Sequence, residues 1–176
     1  MITLAQLLES RDRRAEHQKD LLEKFPGKSL ICLTVQLPGP EKRNGISLKI
    51  ADAAVCAIRE AFTIGFEELK DLDTGYEGYF VVPLSPLDAK RITVGIEDTH
   101  PLGRLMDIDV ISGTSPVMPG VPAVMPGLTG HLSRGDIGLP ERRCLLCDRP
   151  ARYCMRAKTH STEELLDEIV RLCSNK

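Results

Sequence analysis

The stretch GRLMDIDV, Gly103 to Val110, decides the fold because it sets two aspartates inside an apolar run that is typical of a buried strand. In an extended chain, residues i and i+2 point to the same face, so the carboxylates of Asp107 and Asp109 are expected to project together. Their Cα atoms should lie about 6 to 7 Å apart, and like charges this close destabilise a strand unless a cation or a basic side chain lies between them. Two interpretations stay open: a divalent cation site, and a strand with one face in water.

The segments on either side of this strand predict an α+β protein with a split βαβ, or ferredoxin-like, sheet. A capping serine followed by proline at Ser85–Pro86 favours a helix, although Ile92, Val94 and Ile96 alternate as they would in a strand. With a helix at this position, GRLMDIDVI becomes the last strand of the sheet. The predicted order is strand Ser29–Leu37, helix Ser47–Ile64, two strands around Thr74–Gly75, a helix from Ser85, and strand Gly103–Ile111.

A length of 176 residues fits one domain, residues 1–176, with a proper hydrophobic core. Ser161, with Glu164 three residues later, forms a capping box that predicts the start of a C-terminal helix. The segments outside the predicted sheet are an N-terminal helical segment at 1–26, a mobile Pro/Gly-rich loop at 113–131, and a cysteine-rich turn with two helices at 141–176.

The composition argues against several classes of function. A net charge of −2, the absence of tryptophan and 4% aromatic residues argue against a nucleic-acid surface based on a basic field or on base stacking. Neither a signal-peptide pattern in residues 1–26 nor an apolar run of membrane-spanning length is present. We therefore expect a cytoplasmic protein without a nucleic-acid or membrane partner. In that compartment the six cysteines are expected to be thiols or metal ligands, not disulfides.

Three cysteines and one histidine near the C-terminus have the spacing of metal ligands. Cys144, Cys147, Cys154 and His160 form the pattern C-x2-C-x6-C-x5-H. Thiolate and imidazole ligands at such short spacing predict a structural zinc site. A second C-x-x-C pair is absent from the sequence, so cysteines buried between small helices remain the alternative.

Four stretches together resemble one enzyme family, the apo-citrate lyase phosphoribosyl-dephospho-CoA transferases, or holo-citrate lyase synthases. These stretches are LTVQLPGPEK, EDTHPLGRLMDIDV, LSRGDIGLPERRCLLC and ARYCMRAKTHSTEEL. The resemblance runs from about Leu30 to the C-terminus, and the Pro/Gly-rich loop is its main departure from the family pattern. It implies a nucleotidyltransferase that takes the prosthetic group of citrate lyase from triphosphoribosyl-dephospho-CoA. The acceptor would be a serine of the acyl carrier subunit, and pyrophosphate would be released.

The implied reaction needs positive charge around a triphosphate and its leaving pyrophosphate. The resemblance favours Asp107 and Asp109 as ligands of Mg²⁺, which prefers hard oxygen donors. Arg104 and His100 are the further catalytic candidates, and the substrate-binding candidates are Arg134, Arg142, Arg143, Lys42, Gly39 and Glu97. Each of these keeps an ordinary alternative: a solvated arginine, a histidine that caps a turn, a simple PGP turn, or a charge at a helix end.

Two other functions compete with the transferase. One is a non-catalytic zinc-knuckle module that docks an acidic carrier protein through the arginines around Cys144. The aspartate pair speaks against it, since a binder of an acidic partner gains nothing from two more carboxylates. The other is a thiol enzyme that uses Cys144 or Cys147, for which the sequence offers no assignable histidine and acid partners.

Overall fold

The structure is a computed structural model, and it describes residues 2–113 and 130–174. Helices cover more of this chain than strands do. In chain order the elements are α1 (Leu4–Lys24), β1 (Ser29–Val35), α2 (Gly45–Ala61), β2 (Phe66–Leu72), β3 (Gly75–Val82), α3 (Pro86–Thr99), a 3-10 turn (Gly103–Leu105), β4 (Asp107–Ser112), β5 (Gly130–Leu132), a second 3-10 turn (Gly135–Ile137), α4 (Ala151–Ala157) and α5 (Thr162–Ser174).

The five strands form one antiparallel sheet in the order β2-β3-β1-β4-β5. The helix α2 connects β1 to β2, yet β3 lies between these two strands, which is the defining feature of a split βαβ unit. The predicted α+β class and ferredoxin-like sheet are therefore confirmed. The short strand β5 extends this sheet at the β4 edge, and it pairs only with the second half of β4.

Helices cover both faces of the sheet, which explains why β1 and β3 are buried almost throughout. One face packs against α2, α3 and α5 and contains the larger core, which includes Ile31, Leu33 and Ile108. The other face packs against α1 and contains a smaller core with Leu30 and Ile111. Alternating residues of one strand thus enter different cores, as the two-residue period of a strand requires.

The two helix starts that were predicted from capping residues are confirmed. The Ser85 hydroxyl accepts a hydrogen bond from the backbone N–H of Asp88 at 3.2 Å, and Pro86 is the first residue of α3. The cap, which satisfies a free N–H group, therefore outweighs the strand-like alternation inside α3. At α5, Ser161 and Glu164 exchange hydrogen bonds of 2.7 and 3.1 Å as a capping box. The N-terminal segment is a single helix of 21 residues.

Several predicted boundaries are wrong. The strand β1 ends at Val35 instead of Leu37, and α2 covers Gly45–Ala61 instead of Ser47–Ile64. Gly103–Leu105 forms a 3-10 turn instead of the start of a strand, so β4 begins at Asp107. At Gly103 a Cβ atom would lie 2.5 Å from two carbonyl oxygens of α3, so the chain approaches that helix too closely for an extended path. The predicted loop 113–131 includes Gly130 and His131, which belong to β5 because Leu132 is buried and pairs with Val110. Residues 114–129 of that loop lie outside the described residues.

Across the two described ranges, no helix combines the length and the apolar character that a membrane crossing requires.

Candidate active site and metal centre

The first and third residues of β4 carry the aspartate pair. Asp107 lies opposite Thr34 and Asp109 lies opposite Cys32 in the pairing with β1, so both carboxylates project from the face that α1 covers. Their side chains are 64% and 45% exposed. Ile108 between them is fully buried in the opposite core. The predicted alternation is therefore confirmed, and the pair is open to a ligand.

Each carboxylate of the pair has one basic neighbour. Arg142 Nη1 lies 3.6 Å from an Asp107 oxygen, and His131 Nδ1 lies 3.7 Å from an Asp109 oxygen. Desolvation and the negative charge of Asp109 raise the pKa of Asp107 above its ordinary value, although Arg142 opposes them. Desolvation also acts on Asp109, but there His131, Lys90 and Arg142 outweigh it and lower the pKa. The repulsion at Asp107 is the kind that a bound cation relieves.

His131 belongs to the site although the sequence analysis did not select it. It lies on β5 opposite Ile111, and this pairing brings its ring beside Asp109. The Asp109 carboxylate raises the pKa of His131, while desolvation and the charge of Lys90 act against this shift. The alternation of Gly130, His131 and Leu132 was the available signal, but three residues after a Pro/Gly-rich loop are too few to predict a strand.

Lys90 is the second residue that the sequence analysis missed. It is only 5% exposed, on the helix α3 that packs against β4. Its positive charge stabilises the carboxylates of Asp107 and Asp109. Lysine is rarely buried in this way unless it serves a charged neighbour. The seven-residue separation from Glu97, two helical turns, was the signal that both residues share one helix face.

Two of the predicted arginines join the cysteine turn to the segment that precedes β4. Arg142 Nη2 donates to the carbonyl oxygens of Gly103, Arg104 and Met106 at 3.2, 2.9 and 2.6 Å. Arg104 in turn donates to the carbonyl oxygens of Arg143 and Cys144. These contacts direct the other end of the Arg142 guanidinium towards Asp107. The position of the Arg142 side chain therefore depends on a correctly folded cysteine turn.

Glu97 and Arg134 form a buried ion pair under the edge of β4. Glu97 Oε1 accepts a 3.1 Å hydrogen bond from the backbone N–H of Ile108, and Glu97 Oε2 lies 2.8 Å from Arg134. Arg134 also donates to Asp98 on the surface. Because β5 pairs only with the second half of β4, the Glu97 carboxylate takes the place of a neighbouring strand beside Ile108. Glu97 thus contacts the strand that carries the aspartates, and Arg134 is linked to that strand through Glu97.

The remaining predicted residues contact other parts of the protein. His100 Nδ1 accepts a 3.0 Å hydrogen bond from the Leu102 N–H, and the Lys42 ammonium donates to the Leu37 carbonyl at 2.9 Å. Gly39 has a positive φ of 85°, which a turn with glycine accommodates. Arg143 is exposed and lies 3.3 Å from Asp148. The loop with Gly39 and Lys42 leaves β1 at the end where that strand pairs with the start of β4.

A buried polar network lies beside the aspartates under α1. Arg14 Nε donates to Glu77 at 3.0 Å, and the Tyr79 hydroxyl donates to the other Glu77 oxygen at 2.5 Å. Arg14 Nη1 reaches Thr34, the residue opposite Asp107, at 3.4 Å. Burial, followed by the charge of Asp109, raises the pKa of Cys32 far above its ordinary value. This thiol is therefore protonated and is no nucleophile at neutral pH.

An open groove of about 500 Å³ extends along α1 to β5. It lies between α1 and the β4 edge, and its lining includes Gln18, Leu22, Lys28, Ile111 and His131. Because His131 lines the groove and lies 3.7 Å from Asp109, one end of the groove is next to the aspartate pair. An elongated ligand with apolar and polar parts can lie in it while one end reaches the carboxylates.

The structure brings the four predicted zinc ligands together. The ligand atoms of Cys144, Cys147, Cys154 and His160 all lie within 4.8 Å of one another. The sulfur atoms of Cys147 and Cys154 are 3.5 Å apart. Within the described residues, His160 Nε2 is buried without a hydrogen-bond partner. A buried imidazole nitrogen beside three thiols is the arrangement expected of a metal centre.

Local backbone geometry assembles this centre. The Arg149 carbonyl accepts a 2.7 Å hydrogen bond from the Cys144 N–H, which closes the turn that contains Cys144 and Cys147. After α4, Lys158 adopts a left-handed conformation with φ 47°, and this bend returns the chain so that His160 faces the sulfur atoms. Desolvation acts on Cys144, but hydrogen bonds from the backbone of Leu146 and Cys147 outweigh it and lower the pKa of the thiol. A thiol with a lowered pKa is a good metal ligand.

Comparison with known proteins identifies the family. The family model described as apo-citrate lyase phosphoribosyl-dephospho-CoA transferase matches residues 2–176. This chain belongs to that family. A probable apo-citrate lyase phosphoribosyl-dephospho-CoA transferase of Streptococcus pyogenes serotype M18 is 33% identical over 174 residues, which are 97% of this chain and 85% of that protein. The enzymes of the same name from Escherichia coli O1:K1 and Shigella boydii serotype 18 are each 33% identical over 179 residues, 99% of this chain and 90% of theirs.

For a member of the apo-citrate lyase phosphoribosyl-dephospho-CoA transferase family, the arrangement around β4 has a direct chemical use. It combines two acids on one strand face, the guanidinium of Arg142 beside Asp107, the buried Lys90 whose charge acts on both acids, and a groove that His131 lines. Acids that hold a cation and basic groups that meet phosphates are what phosphoryl-transfer chemistry requires.

Proposed function

We propose that this chain transfers the phosphoribosyl-dephospho-CoA prosthetic group to a serine of the acyl carrier subunit of citrate lyase. The donor is triphosphoribosyl-dephospho-CoA. The serine oxygen forms a bond to the donor phosphorus next to the ribose, the bond to pyrophosphate breaks, and the serine proton is lost. The product is a phosphodiester. The observation that carries the proposal is the aspartate pair on β4, with Arg142 at one end and His131 at the other.

Asp107 and Asp109 are the proposed ligands of Mg²⁺. They fit this ion because they offer hard carboxylate oxygens on one exposed strand face, and because desolvation, followed by the negative charge of Asp109, raises the pKa of Asp107. Bound there, Mg²⁺ supplies charge neutralisation at the donor phosphates. Arg142 is positioned to bind a phosphate oxygen with the part of its guanidinium that faces Asp107.

The other predicted site residues are proposed to act mainly through position. Arg104 holds the cysteine turn, and His100 shapes the turn that leads to Asp107. Glu97 and Arg134 fix the start of β4 from below. Arg143, Lys42 and Gly39 are proposed to contact the substrate at the rim of the site.

Zn²⁺ is proposed as a structural ion at Cys144, Cys147, Cys154 and His160. A tetrahedral site with Zn–S bonds of about 2.3 Å separates its ligand atoms by about 3.8 Å, close to the 3.5 Å between the sulfur atoms of Cys147 and Cys154. The unpartnered His160 nitrogen also fits this ion. The site would secure the turn from which Arg142 reaches the aspartates.

The alternative of a non-catalytic knuckle module is not favoured by the family match over residues 2–176. A cytoplasmic location is proposed as well, because none of the six cysteines, all of which lie in the described residues, is paired in a disulfide, as expected in a reducing compartment.

Mass spectrometry of the apo acyl carrier subunit tests the transfer. The subunit is incubated with this protein, triphosphoribosyl-dephospho-CoA and Mg²⁺, and pyrophosphate is measured in parallel. We expect a mass increase equal to the phosphoribosyl-dephospho-CoA group and one pyrophosphate per modified subunit. A subunit with its acceptor serine replaced by alanine is the control. Absence of any mass increase with authentic donor and metal would contradict the proposal.

A further inference from the structure

The surface around α4 differs in charge and composition from the rest of the chain, and its exposed residues have no role in the proposed chemistry. Residues 141–160 contain six lysines or arginines and two acids, a net charge of +4, although the whole chain carries −2. The α4 surface is defined here by six exposed residues: Arg149, Arg152, Tyr153, Met155, Arg156 and Lys158. One short segment thus carries a strong positive field on a chain that is otherwise acidic.

Large side chains on this surface stand in water. Tyr153 is 55% exposed and Met155 is 72% exposed, whereas Cys154 between them is buried at the metal centre. Arg149 lies over the Tyr153 ring, 5.6 Å from its centroid, which holds the ring in place. Tyrosine, methionine and arginine are the residue types enriched at the centres of protein interfaces.

The α4 surface also has a shape that a partner can use. An open groove of about 510 Å³ runs along it between Glu141 and the α4 side chains Arg152, Tyr153 and Arg156. The backbone under the groove is held by the cysteine turn, where the Arg142 carbonyl accepts a 2.8 Å hydrogen bond from the Ala151 N–H. A partner therefore meets a surface that is positioned in advance, which lowers the entropic cost of binding.

The position relative to the aspartates indicates which partner docks here. Arg142 contacts both regions: its carbonyl oxygen accepts the hydrogen bond from the Ala151 N–H at the start of α4, and its side chain lies 3.6 Å from Asp107. The start of α4 is thus linked to the aspartate pair through one arginine, and a protein bound on the α4 surface is expected to present its acceptor group near that pair. The small-molecule donor has the separate groove at His131 on the other side of the pair.

We propose that the α4 surface docks the protein acceptor through an acidic face next to its serine, with Tyr153 and Met155 as apolar anchors. This inference rests on the proposed transfer to a protein acceptor. Charge complementarity between the four basic residues of this surface and an acidic face speeds encounter and sets orientation, so its loss should weaken the acceptor interaction selectively.

Charge reversal at the exposed arginines tests the docking. The double variant Arg152→Glu with Arg156→Glu is compared with a matched control, Arg11→Glu with Arg13→Glu, which changes two exposed arginines of α1 by the same charge. Initial rates are measured against acceptor and donor concentration separately. We expect the KM for the acceptor to rise at least tenfold in the α4 variant, with the KM for the donor unchanged, and no more than a twofold change in the control. Tyr153→Ala, which leaves the charge intact, should also raise the acceptor KM.

Further measurements exclude trivial causes. The zinc content and Tm of each variant should match those of the unaltered protein, and its acceptor KM should depend less on salt because fewer charges are paired. An unchanged acceptor KM in the α4 variant would overturn the docking proposal while leaving the transfer intact. A rise in donor KM instead would assign the surface to donor phosphates and also overturn it. A dimer that the α4 variant dissociates without an effect on acceptor KM would assign it to a second copy. No transfer by the unaltered protein would overturn both proposals.

Discussion

Replacement of Glu97 by alanine tests whether this acid supports β4 or contacts a substrate. Its carboxylate is buried, accepts the Ile108 N–H at 3.1 Å and pairs with Arg134 at 2.8 Å. Loss of one member of a buried ion pair costs about 3 to 5 kcal/mol, and the orphaned Ile108 N–H alone accounts for about 1 to 3 kcal/mol of such a loss. We therefore expect Glu97→Ala to lower the free energy of unfolding by about 3 to 5 kcal/mol.

For a chain of this size, a loss of 1 kcal/mol lowers Tm by about 2 to 4 °C, so the expected fall is about 6 to 20 °C. Asp98→Ala is the matched control, because Asp98 binds the same arginine but its side chain is 54% exposed. A pair this exposed contributes less than about 1 kcal/mol. Thermal melts and urea titrations of both variants measure the difference.

A double-variant cycle separates the ion pair from the other contacts. In Glu97→Ala combined with Arg134→Met, no buried charge is left without its partner, so the joint loss should be smaller than the sum of the single losses by at least about 1 kcal/mol. Equal Tm values for Glu97→Ala and Asp98→Ala would refute this reasoning. So would a fully stable Glu97→Ala protein with a raised KM for the donor, which would make Glu97 a substrate contact.

Three further predictions concern the two metal sites and the buried lysine. Asp107→Asn and Asp109→Asn should each lower turnover by orders of magnitude across a Mg²⁺ titration, and near-normal turnover in both would exclude the Mg²⁺ site. Without metal, Asp107→Asn should leave the stability unchanged or raise it because repulsion is relieved, whereas Asp109→Asn should lower it because the favourable charges of His131 and Lys90 lose their partner. Native protein treated with an alkylating reagent should be labelled at the exposed Cys56 alone, and removal of zinc with a chelator should add three labels, at Cys144, Cys147 and Cys154. The same labelling with and without chelator would argue against bound zinc. Lys90→Met should keep the fold, as a thermal melt would show, but should raise the KM for the donor because a positive charge beside the aspartates is lost; an unchanged KM would remove Lys90 from the site.

The sequence by itself determined the features that depend on neighbouring residues. The Ser85 cap, the Ser161 and Glu164 capping box and the alternation in β4 join residues at most four positions apart, and the chain makes such contacts whatever the rest of the fold does. The order of these elements was then sufficient for the split βαβ sheet. The spacing of the cysteines was likewise a local signal. It grouped Cys154 with the other predicted metal ligands, and the structure brings their ligand atoms together.

Only the tertiary structure decided which side chains meet at the aspartate pair. His131 reaches Asp109 because β5 pairs with β4 although the two strands are far apart in the sequence, and Lys90 comes from a helix two elements before β4. In the sequence, Glu97 is a charged residue near the end of a helix. In the structure its carboxylate is buried beside the start of β4, which the short strand β5 leaves uncovered. Arg142 reaches Asp107 because three backbone carbonyls of another segment bind it. Such contacts join residues more than ten positions apart, and their free energy comes from burial and pairing that exist only when the whole sheet has formed.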